Sequence, residues 1–103
     1  MKESRIEAYC RAQVLAHGGL VKKWVSPGTI GVMDDIVFWP GGRVDLIEFK
    51  APGQKPRPAQ AMLIEKFRDM GHNVYVFASI PEVDDYIRRQ LNIMKVKRVG
   101  PYA

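Results

Sequence analysis

The chain has 103 residues, 47% of them hydrophobic and 26% charged, the balance of an ordinary soluble globular protein. A chain this short forms one domain, residues 1–103, and buries roughly two-thirds of the surface its unfolded state exposes, enough for one core with little spare stability. The net charge of +5 favours an anionic partner, nucleic acid before a membrane surface. The single cysteine, Cys10, excludes an intramolecular disulfide and suits a reduced intracellular compartment. It lies on the apolar side of a helical stretch and reads as a core thiol. The N-terminus, MKESRIEAYCR, has no apolar signal core, and the longest apolar stretch, Val74 to Ile80, is too short to span a bilayer.

In chain order, the pattern predicts a helix over about 2–17, where Ile6, Cys10, Val14 and His17 recur at helical spacing and Gly18-Gly19 ends the run. Residues 20–26 read as a strand, followed by a turn at Pro27-Gly28-Thr29. Residues 34–39 and 43–50 form a hairpin around Pro40-Gly41-Gly42, and 51–57 is a loop. A second helix spans about 58–70, with Pro58 at its first position, Gly71 at its C-terminal cap and an apolar stripe of Leu63, Phe67 and Met70. Residues 73–78 read as a strand and 81–91 as a third helix. The order α-β-β-β-α-β-α describes an α/β sandwich with a central mixed sheet flanked by helices.

Chemistry concentrates at Glu48 and Lys50. Alternate residues of a strand share a face, so the two point the same way, after Val44 and Leu46. An apolar face that ends in an acid and a base needs those charges paired with each other, with a metal or with a charged ligand. An isolated Glu-x-Lys is most often an exposed ion pair. Here Asp34 and Asp35 open the partner strand, and the hairpin brings that end beside Glu48. Two converging carboxylates form a hard-oxygen site suited to Mg2+ or Mn2+, and an adjacent lysine suits phosphodiester hydrolysis. Gln60 lies on the core-facing stripe of the second helix, where its amide serves either the site or a backbone partner. Glu7 borders the first helix's apolar stripe, facing the sheet or pairing in solvent with Arg11.

Taken together, GVMDDIVF and PGGRVDLIEFKAPGQKPRPAQ resemble the virus-type replication-repair (VRR-NUC) nucleases, a branch of the PD-(D/E)XK superfamily common in phages. The resemblance covers roughly Glu3 to Tyr86. It implies a restriction-endonuclease-like fold with Asp34 and Glu48 as metal ligands, assisted by the backbone carbonyl of Phe49. It implies that Lys50 is the catalytic lysine, that Gln60 supports the site, and that Glu7 is the first helix's acid near the metal. The family usually has proline before the aspartate, where this chain has Met33. The resemblance further implies a structure-selective DNA endonuclease, a homodimer acting on branched or junction DNA, in the cytoplasm of a host cell.

Candidate phosphate contacts are Lys22, Lys23, Lys55 and Arg57, with Lys95, Lys97 and Arg98 in the tail. Lys55 and Arg57, just after the catalytic strand, are the best placed. No base-reading motif is visible. The alternatives are a non-catalytic nucleic-acid-binding module that keeps the fold, and a phage structural protein with a coincidental Glu-x-Lys. Trp24, Trp39, Ile93 and Met94 are the apolar residues that a lone domain struggles to cover.

Two arguments collide over the aspartates. A simple hairpin closed by Gly41-Gly42 pairs Trp39 with Val44, which sets Asp35 opposite Glu48. One extra residue in the turn, or a bulge, reverses the parity and selects Asp34. The resemblance aligns Gly31-Val32-Met33-Asp34 with the family's glycine-x-proline-aspartate pattern, and Asp34 is the residue chosen.

Overall fold

Four strands and three helices build the protein, seen in a computed structural model that describes residues 1–96. The expected tail contacts Lys97 and Arg98 lie outside the described residues. Helix α1 (Glu3–Ala16) buries Ile6, Cys10 and Val14, one residue per turn on one face. His17 does not extend that stripe. It is the exposed C-cap residue, its Nδ1 lies 2.8 Å from the Gln13 carbonyl, and Gly18 at φ 90° turns the chain away.

Strands β1 (Leu20–Lys23), β2 (Asp35–Phe38) and β3 (Val44–Phe49) are successive antiparallel neighbours. Strand β4 (Asn73–Phe77) pairs parallel to β3, giving the order β1-β2-β3-β4 and the mixed sheet expected. A parallel neighbour needs a crossover connection, which α2 (Pro58–Asp69) supplies. Helix α3 (Ile80–Val96) follows β4 directly.

The sheet separates two apolar clusters. On one face, Ile6, Cys10 and Val14 of α1 and Val83, Tyr86 and Ile87 of α3 pack on Val37, Ile47, Phe49 and Phe77. On the other face, Ile64 of α2 joins Met33 and Val74, with Trp24, Leu46, Leu63 and Phe67 around them. Helices cover both faces of β4, which accounts for the near-continuous apolar run of NVYVF.

Four expectations change. The stripe of α2 runs through buried Gln60 and Ile64, with Leu63 and Phe67 beside it. Met70 is 64% exposed because the helix has already ended. Strand β1 stops at Lys23, although Trp24 N–H still donates to the Asp34 carbonyl at 3.0 Å. Helix α3 runs to Val96, beyond the expected 91, because Val83, Ile87, Leu91 and Met94 continue its inward face. Its start is a capping box visible in Ser79-Ile80-Pro81-Glu82: Ser79 Oγ donates to Glu82 Oε1 at 2.9 Å and accepts from Glu82 N–H at 3.4 Å. Finally, Trp39 belongs to the core at 4% exposure and Trp24 packs on Phe67, ring centroids 5.7 Å apart, so neither tryptophan is left uncovered.

One buried polar network ties the sheet to α3. Asp45, fully buried, accepts from Tyr86 O–H at 2.5 Å, and Arg43 Nε lies 3.3 Å from its other oxygen. Trp39 Nε1–H donates to the Tyr86 oxygen at 3.0 Å. Burial pushes the Asp45 carboxyl up, against the lowering effect of Tyr86 and Arg43. Tyr86→Phe keeps the ring and removes the donor, leaving a buried carboxylate short of a partner. That should destabilise the fold by about 1–3 kcal/mol. A thermal melt should show a drop of about 4–8 °C per kcal/mol for a domain this size. An unchanged Tm would show that Asp45 does not depend on this hydrogen bond.

Candidate active site

The connection between β2 and β3 decides which carboxylates meet. Phe38 pairs with Val44, not Trp39 with Val44, and Trp39 N–H closes the turn on the Arg43 carbonyl at 2.9 Å. Gly41 and Gly42 both adopt φ near +90°, the conformation that lets the chain make this longer turn. The five residues 39–43 thus lie outside the ladder, one more than the simple hairpin has at that end. Asp35 then sits opposite Ile47, on the α1–α3 face, and Asp34 falls opposite Glu48, on the α2 face. The plain-hairpin register is corrected, and the geometry brings Asp34 and Glu48 together.

They are joined through the backbone. Asp34 N–H donates to Glu48 Oε1 at 3.1 Å, and Phe49 N–H donates to Asp34 Oδ2 at 2.9 Å. Lys50 Nζ lies 2.9 Å from Glu48 Oε2. Burial raises the Glu48 carboxyl above its ordinary value. The lysine hydrogen bond opposes that rise, the Asp34 charge adds to it, and the Gln60 amide opposes it. Gln60 itself is 8% exposed. Its Nε2–H donates to the Val32 carbonyl at 3.3 Å, and its Oε1 has no hydrogen-bond partner.

This donor set fits a small hard cation. Two like-charged carboxylates face one another, each accepting one backbone N–H, with Lys50 alone as the side-chain cation on Glu48. Among the described residues no group of three or more His, Cys, Asp and Glu side chains is arranged to hold a metal ion. Two carboxylates are the hard-oxygen donors that a small divalent cation takes, and they do not make the closed nitrogen and sulfur set of a structural zinc site.

Gly31 secures the loop that delivers Asp34. At φ +89° a Cβ there would stand 3.1 Å from both Gln60 N and Cα, so the loop backbone rests directly on the start of α2. Between them lies a cleft of about 320 Å³ lined by Ile30, Gly31, Lys50, Arg57 and Gln60, among others. Arg57, the exposed N-cap residue of α2, therefore shares a cleft with Lys50. Lys55 is exposed in the same loop.

Glu7 is not part of this group. It faces the sheet, not solvent, but its hydrogen-bonded cation is Lys23, at 2.7 Å, rather than Arg11. Arg11 Nε instead lies 3.5 Å from Asp35 Oδ2. Lys23 is thereby engaged on the α1 face, whereas Lys22 alternates to the other. Asp35, 1% exposed, is the residue whose importance sequence reasoning missed; the strand's period of two would have revealed it had the turn length been known. Desolvation, reinforced by the hydrogen bond and charge of Glu7, pushes its carboxyl up to about 7, against Arg11 and Lys23. Burial alone would raise Glu7 too. The hydrogen bonds with Asp35 and Lys23 and the charges of Lys23 and Arg11 outweigh it, and Glu7 ends below its ordinary value. The two carboxyls are thus pushed apart in acidity, Asp35 being the one that holds a proton more readily. Burial pushes the nearby Cys10 thiol up to about 12, which leaves it protonated and inert, as a core thiol should be.

Comparison with known proteins identifies the relatives. No family model matches the chain. A curated protein named "Putative nuclease p44", from Acyrthosiphon pisum secondary endosymbiont phage 1, is 39% identical over 79 residues, covering 77% of this chain and 85% of that protein. A solved structure titled "VRR_NUC domain" is 37% identical with a TM-score of 0.81, over 85% of this chain and 96% of its own. A second, titled "VRR_NUC domain protein", covers all of this chain and 93% of its own at TM-score 0.66; at 17% identity it speaks to the fold alone.

Asp35 sets a pH dependence. Folding raises its pKa from the ordinary 3.8 to about 7, so between those values the folded state binds the extra proton. Stability is then greatest below about 3.8, falls steadily across the interval and levels off above about 7. The Glu7 effect runs in the opposite sense but confines itself to pH below 4.5. Asp35→Asn removes the ionisation, so its Tm should gain on wild type as pH rises from about 4 to about 7 and keep a constant lead above that, read by calorimetry across that range. Parallel Tm–pH curves for the two proteins would show that Asp35 titrates normally.

Proposed function

The chain belongs to the VRR_NUC family of nucleases, and from that membership we propose that residues 1–103 act as a single domain hydrolysing phosphodiester bonds in DNA, dependent on Mg2+ or Mn2+ and selective for branched structure. The observation that carries this reading is the junction of Asp34, Glu48 and Lys50 on one sheet face beside Gln60. The Asp34…Glu48-Phe49-Lys50 pattern also supports a place in the PD-(D/E)XK superfamily.

In this reading Asp34 and Glu48 hold the cation with the Phe49 backbone carbonyl. When bound, the cation supplies Lewis acidity toward the phosphodiester and toward water. Lys50, released from sole pairing with Glu48, orients the attacking water and offsets the negative charge that develops on the phosphate. The Phe49 N–H holds the Asp34 carboxylate in orientation, and Gln60 braces the Val32 carbonyl and Glu48. Glu7 acts indirectly, holding Lys23 and Asp35 in the layer behind Asp34. Arg57 in the cleft and Lys55 in the same loop, with Lys22 at the sheet edge and Lys95 in α3, contact the sugar–phosphate backbone, while Lys23 is taken up by Glu7 on the other face. Such contacts position a substrate without reading its sequence, in keeping with structure selection. The phage origin of the curated relative supports a site of action in the host cytoplasm, and no helix among the described residues is long and apolar enough to cross a membrane.

We further read the protein as a homodimer, so that two sites address two strands of a branch. The support is a row of register partners on neighbouring strands: Leu20 opposite Phe38, and Phe38 opposite Val44, which are 50%, 42% and 42% exposed at the sheet end away from the site. An apolar row of this kind marks an interaction surface.

Two experiments test these readings. In manganese, Asp34→Asn, Glu48→Gln and Lys50→Ala should each slow cleavage of branched DNA at least about a hundredfold. Asp35→Asn should stay active, and calcium should support binding with little cutting. Full activity in excess chelator overturns the metal mechanism. Tight binding with no cleavage in any metal favours the non-catalytic module. Inactive Asp35→Asn beside normal Asp34→Asn reverses the aspartate assignment. Separately, light scattering should give twice the 11.7 kDa chain mass, and Phe38→Lys should halve it. A monomeric wild type at micromolar concentration refutes the dimer.

A further inference from the structure

We propose that the cleft beside Lys50 is a subsite for one unpaired, unstacked base of the DNA, with Ile30 as the side chain that base packs against. The inference rests on the nuclease reading and names what would make it selective for structure.

Ile30 is 89% exposed, the most exposed of the large hydrophobic side chains among the described residues, and it lines the cleft shared by Lys50, Arg57 and Gln60. Single exposed apolar residues are common and carry no meaning by themselves. The residues that follow this one are anchored. Its neighbour Gly31 lies against the backbone of Gln60, where a Cβ would be cramped, and the Val32 carbonyl accepts from Gln60 Nε2–H at 3.3 Å. Ile30 thus leads into a stretch of loop fixed on α2.

The surroundings name the occupant. Lys50 and Arg57 supply cationic groups for phosphates, which selects a nucleotide strand. The cleft, about 320 Å³, lies in the range of small-ligand sites and suits one nucleotide unit. An apolar side chain gains from contact with the face of a base, and in a duplex that face is already covered by its stacked neighbours. Only a frayed, bulged or branch-point base offers it freely. Binding energy is thus available to distorted DNA that a regular duplex cannot supply without being unstacked.

The test compares affinities for a forked DNA and a fully paired duplex of the same length, in calcium, by fluorescence anisotropy. Wild type should bind the fork about tenfold more tightly, the range of one base contact. Ile30→Ser should bring the ratio of affinities toward one by weakening the fork, Ile30→Phe should preserve it, and Arg57→Ala should weaken both DNAs alike. A wild-type ratio near one, an unchanged ratio in Ile30→Ser, or equal weakening of both DNAs by Ile30→Ser overturns the subsite. Cleavage by wild type in manganese is scored in parallel. Cutting with an Ile30-independent ratio removes only the subsite, and an Ile30-dependent ratio without cutting removes only the nuclease reading.

Discussion

Five residues, Trp39 to Arg43, connect β2 to β3, and their number fixes which face of the sheet every residue of β2 reaches. Because side chains alternate along a strand, a turn shorter by one residue would exchange Asp34 and Asp35. The turn holds its length because Gly41 and Gly42 accept positive φ and because Trp39 is anchored in the core. Trp39 also reaches Tyr86, which holds Asp45, so the turn is locked to α3 through a buried network. The chemistry at the far end of the hairpin therefore depends on packing at the near end.

That register gives the two adjacent aspartates opposite environments. Asp34 is half-buried at a strand end, held by a backbone N–H and facing Glu48, which Lys50 pairs. Asp35 is sealed beneath α1 among Glu7, Arg11 and Lys23, and desolvation dominates its titration. A carboxylate proposed to hold a cation needs access to solvent. One sealed in a dry layer, its carboxyl raised by burial, does not have it. The two groups stand back to back through the sheet.

Helix α2 performs two tasks from one short segment. Its crossover lets β4 lie parallel to β3, and its first turn presents Gln60 to the site and backs Gly31. Pro58 at its start, with no N–H to satisfy, suits an end exposed beside the cleft. The loop through Gly31, the end of β3 and the first turn of the crossover helix thus converge. The outward set of Ile30 follows from that convergence and not from any local preference of the loop.

The sequence by itself determined the element order, the mixed sheet and the segment that holds the chemistry. Hydrophobic period, proline and glycine placement, and the spacing of Asp34, Glu48, Lys50 and Gln60 are all local signals. Even the capping box of α3 was there to read in Ser79 and Glu82. Tertiary structure alone decided the rest. Strand parity depends on a count of turn residues that no periodicity reveals, so Asp34 and Asp35 could be ranked only by family resemblance until the register was seen. Glu7 found Lys23 rather than Arg11 because β1 runs past α1 in space, a contact between residues 16 apart in the chain. Trp39 looked like a residue to be covered by a partner, and Met70 like core, because exposure is set by what other elements reach. Local pattern specifies which face a residue offers, and packing specifies what meets it.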